Sequence, residues 1–140
     1  MSNTASLALE TVEGEGLRFK VSVGSGTEMT LDSGPGTRAP SPVEALLAAL
    51  GGCGAMDVIS ILRKKRQAVM GYEVSVSGER RKEYPRAFTR IEIVHRLRGR
   101  NLNPAAIEEA IRLSDTKYCS VHASLSKEIE IESRYEIVPV

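Results

Sequence analysis

The sequence contains no tryptophan and few aromatic residues of any kind, since four tyrosines and two phenylalanines make up 4% of its 140 residues. It also lacks an excess of charge, because 19 lysines and arginines nearly balance 18 acidic residues and leave a net charge of +1. Proteins that bind nucleic acids usually present a strongly basic face, and many stack bases on aromatic rings. The composition therefore argues against a nucleic-acid partner.

A recognisable export signal is missing as well, because residues 1–11 hold no basic segment followed by an apolar run. We also find no stretch that approaches the ~20 apolar residues needed to cross a bilayer. These absences predict a cytoplasmic protein with no membrane partner. The length of 140 residues predicts a single domain, residues 1–140, built on one hydrophobic core.

Cysteine is scarce, and Cys53 and Cys119 are the only two. Without an export signal, two thiols far apart in the chain indicate a redox pair more than a structural disulfide. Cys53 lies among Gly51, Gly52 and Gly54, and each glycine costs a helix interior roughly 1 kcal/mol relative to alanine. Three glycines around one sulfur predict that another group approaches this backbone closely. The alternative is that both cysteines are small buried hydrophobic residues.

Hydrophobic periodicity predicts an α+β protein with the order strands, long helix, strands, helix, strand. The central helix starts with Ser41 as its N-cap, and Glu44 completes a capping box. About 25 residues at 1.5 Å rise give roughly 37 Å, which is long for a small domain and predicts a partner subunit along the helix. A second helix opens at Asn103-Pro104. Strands are expected at residues 7–12, 17–23, 28–32, 73–81, 88–98 and 127–138, with 73–81 and 88–98 forming an antiparallel pair.

Four motifs together resemble the OsmC/Ohr family of osmotically inducible and organic hydroperoxide resistance proteins. They are SPVEALLAALGGC at 41–53, DV at 57–58, ERR at 79–81 and KYCSV at 117–121. The resemblance covers most of the chain and is to the subgroup with Ala-Leu-Gly-Gly-Cys in the central helix. It implies an OsmC-like fold, with antiparallel sheets around a long central helix and a second helix, in an intertwined homodimer with two sites at the subunit interface.

The same resemblance implies a thiol-dependent peroxidase that reduces organic hydroperoxides to alcohols. Cys53 would attack the peroxide, because the family's peroxidatic cysteine lies on the central helix, and Cys119 would resolve the sulfenic acid as a disulfide. A thiol or dithiol reductant, such as a lipoyl group, would then reset the pair. No cofactor and no metal is expected. The apolar residues around Cys53 favour an organic peroxide over hydrogen peroxide.

A free cysteine has a pKa near 8.5, so fast attack at neutral pH calls for a nearby cation or equivalent hydrogen bonds. Arg38 is the first candidate, because it lies in the loop before the helix, and an OsmC-type arginine occupies a comparable loop. Arg18 is the second. The alternative for either residue is a solvated surface arginine.

Glu44 is a candidate catalytic residue, but its position departs from the family pattern. In better-known relatives the glutamate that partners the arginine directly follows the proline at the helix start, where this chain has Val43. Nine residues at about 100° each place Glu44 roughly opposite Cys53 on a regular helix. A capping-box role explains Glu44 without catalysis. A bend at Gly51-Gly52, or a contact with the partner subunit, would restore a catalytic role.

Three further residues have open interpretations. Asp57 lies one turn after Cys53, so it needs a paired cation or a structural partner elsewhere. His122 would share a helical face with Cys119, either as part of a metal pair, which the shortage of ligands argues against, or as an activating histidine. His95 is expected in the core or at an interface.

A function of another class stays open. The displaced glutamate, the unplaced arginine and the lack of proline after Cys119 are also compatible with a non-enzymatic stress protein that binds an apolar ligand or senses redox state. An enzyme would consume peroxide repeatedly, whereas a sensor or carrier would react about once.

Overall fold

The computed structural model describes residues 1–10, 14–34 and 36–140, and it divides the chain into two compact units, Met1–Leu46 and Leu47–Val140. The last two residues of the predicted strand 7–12, and position 35 of the loop before the central helix, lie outside the described residues. Each unit is built around its own three-stranded sheet, and the long helix begins in the first unit and continues into the second.

The first unit holds an antiparallel sheet with the order β1-β2-β3. Its strands are β1 (Ala5–Leu9), β2 (Phe19–Val23) and β3 (Glu28–Leu31). Apolar residues alternate with polar ones along β2, as in a strand with one face covered. All of β1 is exposed, including Leu7 and Leu9. The three strands predicted for this part of the chain are therefore present. β1 begins two residues earlier than expected, and β2 and β3 are shorter than expected.

Helix α1 spans Pro42–Lys64 without interruption. Its start is the predicted capping box, because the backbone N–H of Glu44 donates to Ser41 Oγ at 3.1 Å and the backbone N–H of Ser41 donates to Glu44 Oε1 at 3.0 Å. Basic residues at its end, Arg63 and Lys64, complement the helix dipole. Only four of its 23 residues are buried: Leu50, Gly51, Val58 and Leu62.

By length and composition alone, α1 could span a membrane. The expectation that no such run exists was wrong, because only Glu44 and Asp57 are charged among the residues of α1 before Arg63. Helices covered inside a protein or by a second subunit have the same composition, so this property by itself is weak support for a membrane helix.

The second unit holds a mixed sheet with the order β4-β5-β6. The antiparallel pair β4 (Ala68–Arg80) and β5 (Phe88–Arg100) was predicted, although β4 begins five residues earlier than expected. The prediction of purely antiparallel sheets was wrong for β6 (Glu130–Val138), which runs parallel to β5. A helical connection separates β5 from β6, and such a crossover is what parallel neighbours require.

That connection consists of α2 (Pro104–Leu113), a π-helical turn (Ser114–Tyr118) and α3 (Ser120–Ser124). Asn103 caps α2 as predicted, with its side chain accepting from the backbone N–H of Ala105 at 3.0 Å. The core of this unit joins α1, β5 and α2 through apolar side chains. Its buried members are Val58, Leu62, Leu97, Ala106, Ile107, Ala110 and Ile111.

His95 lies in the interior of this unit, and the core was one of the two places predicted for it. It is 2% exposed, and its Nδ1 is 2.6 Å from the hydroxyl of Tyr72. Burial lowers the pKa of His95 and raises that of Tyr72. The pair is therefore a neutral hydrogen-bonded contact within the sheet.

The glycines around Cys53 differ from one another. A Cβ at Gly51 would lie 2.6 Å from Val76 Cγ2, so strand β4 is the group that approaches this backbone closely. A Cβ at Gly54 would make an ordinary contact with Ser114 Oγ, and one at Gly52 would meet nothing within 4 Å. The predicted close approach is thus present at one glycine of the three.

We expect opposite effects from two alanine substitutions in this segment. Gly52→Ala should raise the free energy of unfolding by about 1 kcal/mol, because alanine favours the helix and has room. Gly51→Ala should lower it, because overpacking against the stiff Val76 costs about 1–3 kcal/mol and outweighs the same helical gain. Urea denaturation of the two variants beside the parent measures both, and equal effects would contradict the close packing of α1 on β4.

Candidate functional site

Cys53 on α1 and Cys119 lie side by side in the second unit. Their Sγ atoms and a carboxylate oxygen of Asp57 all lie within 4.8 Å of one another. Both thiols are free, and Cys53 is partly exposed whereas Cys119 is buried. Folding therefore brings together the two cysteines that the chain separates, at a distance that small side-chain movements can close.

The π-helical turn positions Cys119. The backbone N–H of Cys119 donates to the carbonyl of Ser114, five residues earlier, at 2.9 Å. Cys119 then adopts extended backbone and caps α3, with its Sγ accepting from the backbone N–H of His122 at 3.4 Å. Such π turns are rare and often occur at functional sites. The turn and the short helix together direct the Cys119 sulfur toward α1.

The environment of Cys119 keeps its thiol protonated. Cys119 is 4% exposed, and burial raises its pKa to about 11. Contact with Cys53 and the charge of Asp57 act in the same direction, and only the hydrogen bond from the His122 backbone opposes them. At neutral pH Cys119 is therefore a neutral, shielded thiol.

This difference predicts the order in which the two thiols react with iodoacetamide near pH 7.5. Cys53 should be modified first and Cys119 at least about tenfold more slowly, because thiolates are the reacting species and Cys119 is both protonated and buried. Peptide mass mapping of a time course measures the two rates in one sample. Faster modification of Cys119 would contradict this picture of the pair.

Asp57 is held by a hydroxyl group. Its Oδ2 accepts a hydrogen bond from Ser114 Oγ at 2.9 Å, and Ser114 is 1% exposed. Of the two expectations for Asp57, a paired cation or a structural partner, the structure therefore shows a structural partner. That partner is a serine at the end of α2. Sequence analysis missed Ser114, because a serine following a helix is ordinarily a capping or solvent-exposed residue and carries no sign of a distant partner.

The spacing of Cys119 and His122 allowed a contact between them, as a metal pair or an activating histidine, and His122 does contact the Cys119 sulfur. The backbone of His122 makes that contact, and its Nδ1 lies 3.7 Å from Asp115 Oδ1. Within residues 1–10, 14–34 and 36–140, only Cys53, Asp57 and Cys119 form a group of at least three ligand-type side chains close enough to share an ion.

Arg38 and Arg18 both lie in the first unit, and both are connected to the buried Asp32. The backbone N–H of Arg38 donates to Asp32 Oδ2 at 3.1 Å, while its side chain is exposed. The guanidinium of Arg18 lies 3.3 Å from Glu10 Oε2 and 3.8 Å from Asp32 Oδ2. Arg18 is therefore engaged by carboxylates, whereas the loop fixes the backbone of Arg38 and leaves its side chain at the surface.

Asp32 is the second residue that sequence analysis missed. It is 3% exposed, and its Oδ1 accepts from the backbone N–H of Ser33 at 2.8 Å. Its own N–H donates to the carbonyl of Pro40 at 3.0 Å, which closes the loop before α1. An aspartate before a glycine- and proline-rich segment is a turn signal that could have indicated this role.

Glu44 fulfils its capping role. Hydrogen bonds from the backbone and side chain of Ser41 lower the pKa of this carboxyl group. Helix α1 continues through Gly51 and Gly52 without interruption.

Residues 34–134 match the family profile described as OsmC-like protein. The chain belongs to the OsmC-like family. Among its relatives, Protein YhfA of Escherichia coli K12 is 47% identical over 124 residues, which are 89% of this chain and 92% of YhfA.

Solved structures of OsmC-like and related proteins share the fold. A hypothetical protein from Aquifex aeolicus VF5 is 29% identical and superposes with a TM-score of 0.87, covering 100% of this chain and 98% of its own. The organic hydroperoxide resistance protein OhrB of Bacillus subtilis is 10% identical with a TM-score of 0.63, covering 97% and 98%. At 10% identity, the likeness to OhrB concerns the fold alone. The predicted α+β, OsmC-like fold is confirmed.

Proposed function

We propose that this protein is a thiol-dependent peroxidase that reduces organic hydroperoxides to alcohols. The observation that carries the proposal is the pair of free thiols, Cys53 and Cys119, whose sulfurs lie within 4.8 Å of each other. Membership of the OsmC-like family supports it, as does the shared fold with a protein named for organic hydroperoxide resistance.

The pair can complete a balanced two-electron reduction. The Cys53 thiolate attacks the distal peroxide oxygen, the O–O bond breaks, and the alkoxide takes a proton and leaves as an alcohol. Cys53 is then a sulfenic acid. The Cys119 sulfur attacks it, forming the disulfide and releasing water, and an external thiol or dithiol, such as a lipoyl group, restores both thiols by exchange.

The surroundings of the two thiols support this division of roles. The attacking group must meet a substrate from solvent, and Cys53 is the partly exposed member. Cys119 is buried, which suits a resolving thiol that acts only within the protein and is shielded from reagents in solvent. Leu50 and Met56 lie three residues on either side of Cys53 on α1 and favour an apolar substrate. Cumene hydroperoxide should therefore turn over faster than hydrogen peroxide.

Arg38 is the proposed activating cation. Its side chain is exposed, whereas that of Arg18 is engaged by Glu10 and Asp32. Arg38→Ala should slow peroxide reduction at least about tenfold, because loss of a cation lowers the thiolate fraction by about that factor per pKa unit. Arg38→Lys should restore part of the rate. An unchanged rate in Arg38→Ala would exclude this role.

Glu44 is the remaining catalytic candidate. Because its carboxylate serves the capping box, Glu44→Gln should retain peroxidase activity.

We further propose that the protein works as an intertwined homodimer in the cytoplasm. Most of α1 is apolar, yet only four of its residues are buried, and Met56 is 72% exposed. Large exposed apolar surfaces usually mark interaction sites. A second copy of the same chain would cover this helix.

Repeated turnover tests the proposed activity. The reduced protein with dithiothreitol or a lipoyl dithiol should consume many equivalents of tert-butyl hydroperoxide, measured by loss of peroxide against a protein-free control. Consumption of about one equivalent, followed by a stop despite excess reductant, would instead identify the protein as a redox sensor or carrier. No consumption at all would leave a binding role as the remaining function.

A further inference from the structure

The proposed peroxidase cycle leaves Asp57 and Ser114 without a role, although both are built into the site. The Cys53 sulfur, the Cys119 sulfur and a carboxylate oxygen of Asp57 form a triangle with sides no longer than 4.8 Å. Two thiolates and a carboxylate are ligands that Zn²⁺ prefers, at about 2.0–2.3 Å from the ion. Small side-chain shifts are enough for these three atoms to share one ion.

Hydrogen bonds to the ligand groups hold this triangle in place. Ser114 Oγ donates to Asp57 Oδ2 at 2.9 Å and so fixes the orientation of this carboxylate. The backbone N–H of His122 donates to the Cys119 sulfur at 3.4 Å. Partners of this kind orient metal ligands and are a regular part of metal sites. Ser114 is 1% exposed, so water is kept away from its hydrogen bond to Asp57.

The charges of the triangle favour a cation. All three groups are negative when ionised, and the proximity of Cys53 and Asp57 contributes to the raised pKa of Cys119. A divalent ion would replace this mutual repulsion with attraction. Cys53 is partly exposed, so an ion can reach the triangle from solvent, and a fourth position stays open to water or a small thiol.

We infer that the reduced Cys53–Cys119 pair, together with Asp57, binds one Zn²⁺ through three protein ligands, and that disulfide formation releases it. Binding by the two thiols displaces two protons into solvent. Oxidation consumes one hydroperoxide and two protons, and it yields the disulfide, one alcohol, one water and free Zn²⁺. The electrons that reduce the peroxide come from the two sulfurs, and zinc keeps its charge throughout.

This site needs reduced thiols but not peroxidase activity, so the two proposals can fail separately. If both hold, zinc occupies the sulfur that the peroxide must reach. Zinc should then inhibit turnover reversibly, and a chelator should restore it.

The direct test is a zinc titration of the fully reduced whole protein without peroxide, in competition with a chromophoric chelator. About one Zn²⁺ per chain should bind. Asp57→Asn should weaken affinity by more than about tenfold and Ser114→Ala by about tenfold, as losses in metal sites commonly do. Asp115→Asn is the matched control, because it removes a nearby carboxylate outside the triangle and should bind zinc like the parent.

Co²⁺ provides a readout that does not depend on the variants folding. The parent protein with Co²⁺ should show sulfur-to-metal charge-transfer absorption. This absorption should disappear when one equivalent of organic hydroperoxide forms the disulfide. Diamide replaces the hydroperoxide as the oxidant if the protein does not reduce peroxides. Parent protein with no such absorption, or with zinc affinity no higher than that of Cys53→Ser/Cys119→Ser, would overturn the inference. Asp57→Asn that binds as tightly as the parent would overturn the three-ligand site.

Discussion

Replacing Cys53 with serine should reduce peroxide turnover by at least about 10³-fold, because loss of a covalent nucleophile removes the reacting group itself. The measurement is the rate of tert-butyl hydroperoxide loss in the presence of a dithiol. Serine preserves the size of the side chain, and position 53 is only partly buried, so the fold should persist and circular dichroism should match the parent.

Cys119→Ser is the matched control for this substitution. It should still react with one equivalent of peroxide, since Cys53 remains, but it should then accumulate a sulfenic acid that dimedone traps. Turnover with a dithiol should be slower than in the parent, because the reductant must attack the sulfenic acid directly. Full activity in Cys53→Ser together with inactivity in Cys119→Ser would reverse the assigned roles.

Met56→Glu should convert a dimer of about 30 kDa into a monomer close to the chain mass of 15.2 kDa. Met56 is 72% exposed near the middle of the apolar helix α1, where a second copy would cover it. Burying a methionine stabilises an interface by about 1.5–3 kcal/mol, and a two-fold interface contains Met56 twice. The dissociation constant of the dimer should therefore rise about a hundredfold or more. Light scattering across a concentration series measures the change.

Met70→Glu provides the comparison for that experiment. Met70 is also an exposed methionine, at 54%, but it lies on β4 and not on α1. This variant should keep the dimer mass. If Met70→Glu dissociates while Met56→Glu does not, the interface involves the sheet edge instead of the helix, and a parent protein of monomer mass would rule out the dimer altogether.

The local parts of the fold were predictable because short-range chemistry determines them. Ser41 and Glu44 form their capping box from residues three positions apart, and Asn103 caps α2 through a side chain two residues from its donor. The parallel placement of β6 was not predictable in this way. It depends on how the helical connection returns the chain to β5, and strand periodicity contains no information about direction.

In the functional site too, some features were predictable from the sequence and others were not. Helical spacing placed Asp57 beside Cys53, and the scarcity of cysteine singled out Cys119 as the second thiol of the pair. The hydrogen bond from Ser114 to Asp57 joins residues 57 positions apart in the chain. The π-helical turn that positions Cys119 depends on one extra residue in a helical turn. Neither leaves a periodic signal in the sequence. Sequence also treated the three glycines alike, whereas only Gly51 is pressed against Val76.

The most direct test of the redox pair is peptide mass mapping of non-reduced protein after one equivalent of organic hydroperoxide, with remaining thiols blocked before digestion. We expect a peptide containing Cys53 linked to a peptide containing Cys119 within one chain, lost on treatment with dithiothreitol and absent from Cys119→Ser. Protein that consumes the peroxide but yields no such linked peptide, or links Cys53 only to Cys53 of another copy, would contradict the assignment of these two sulfurs as a resolving pair.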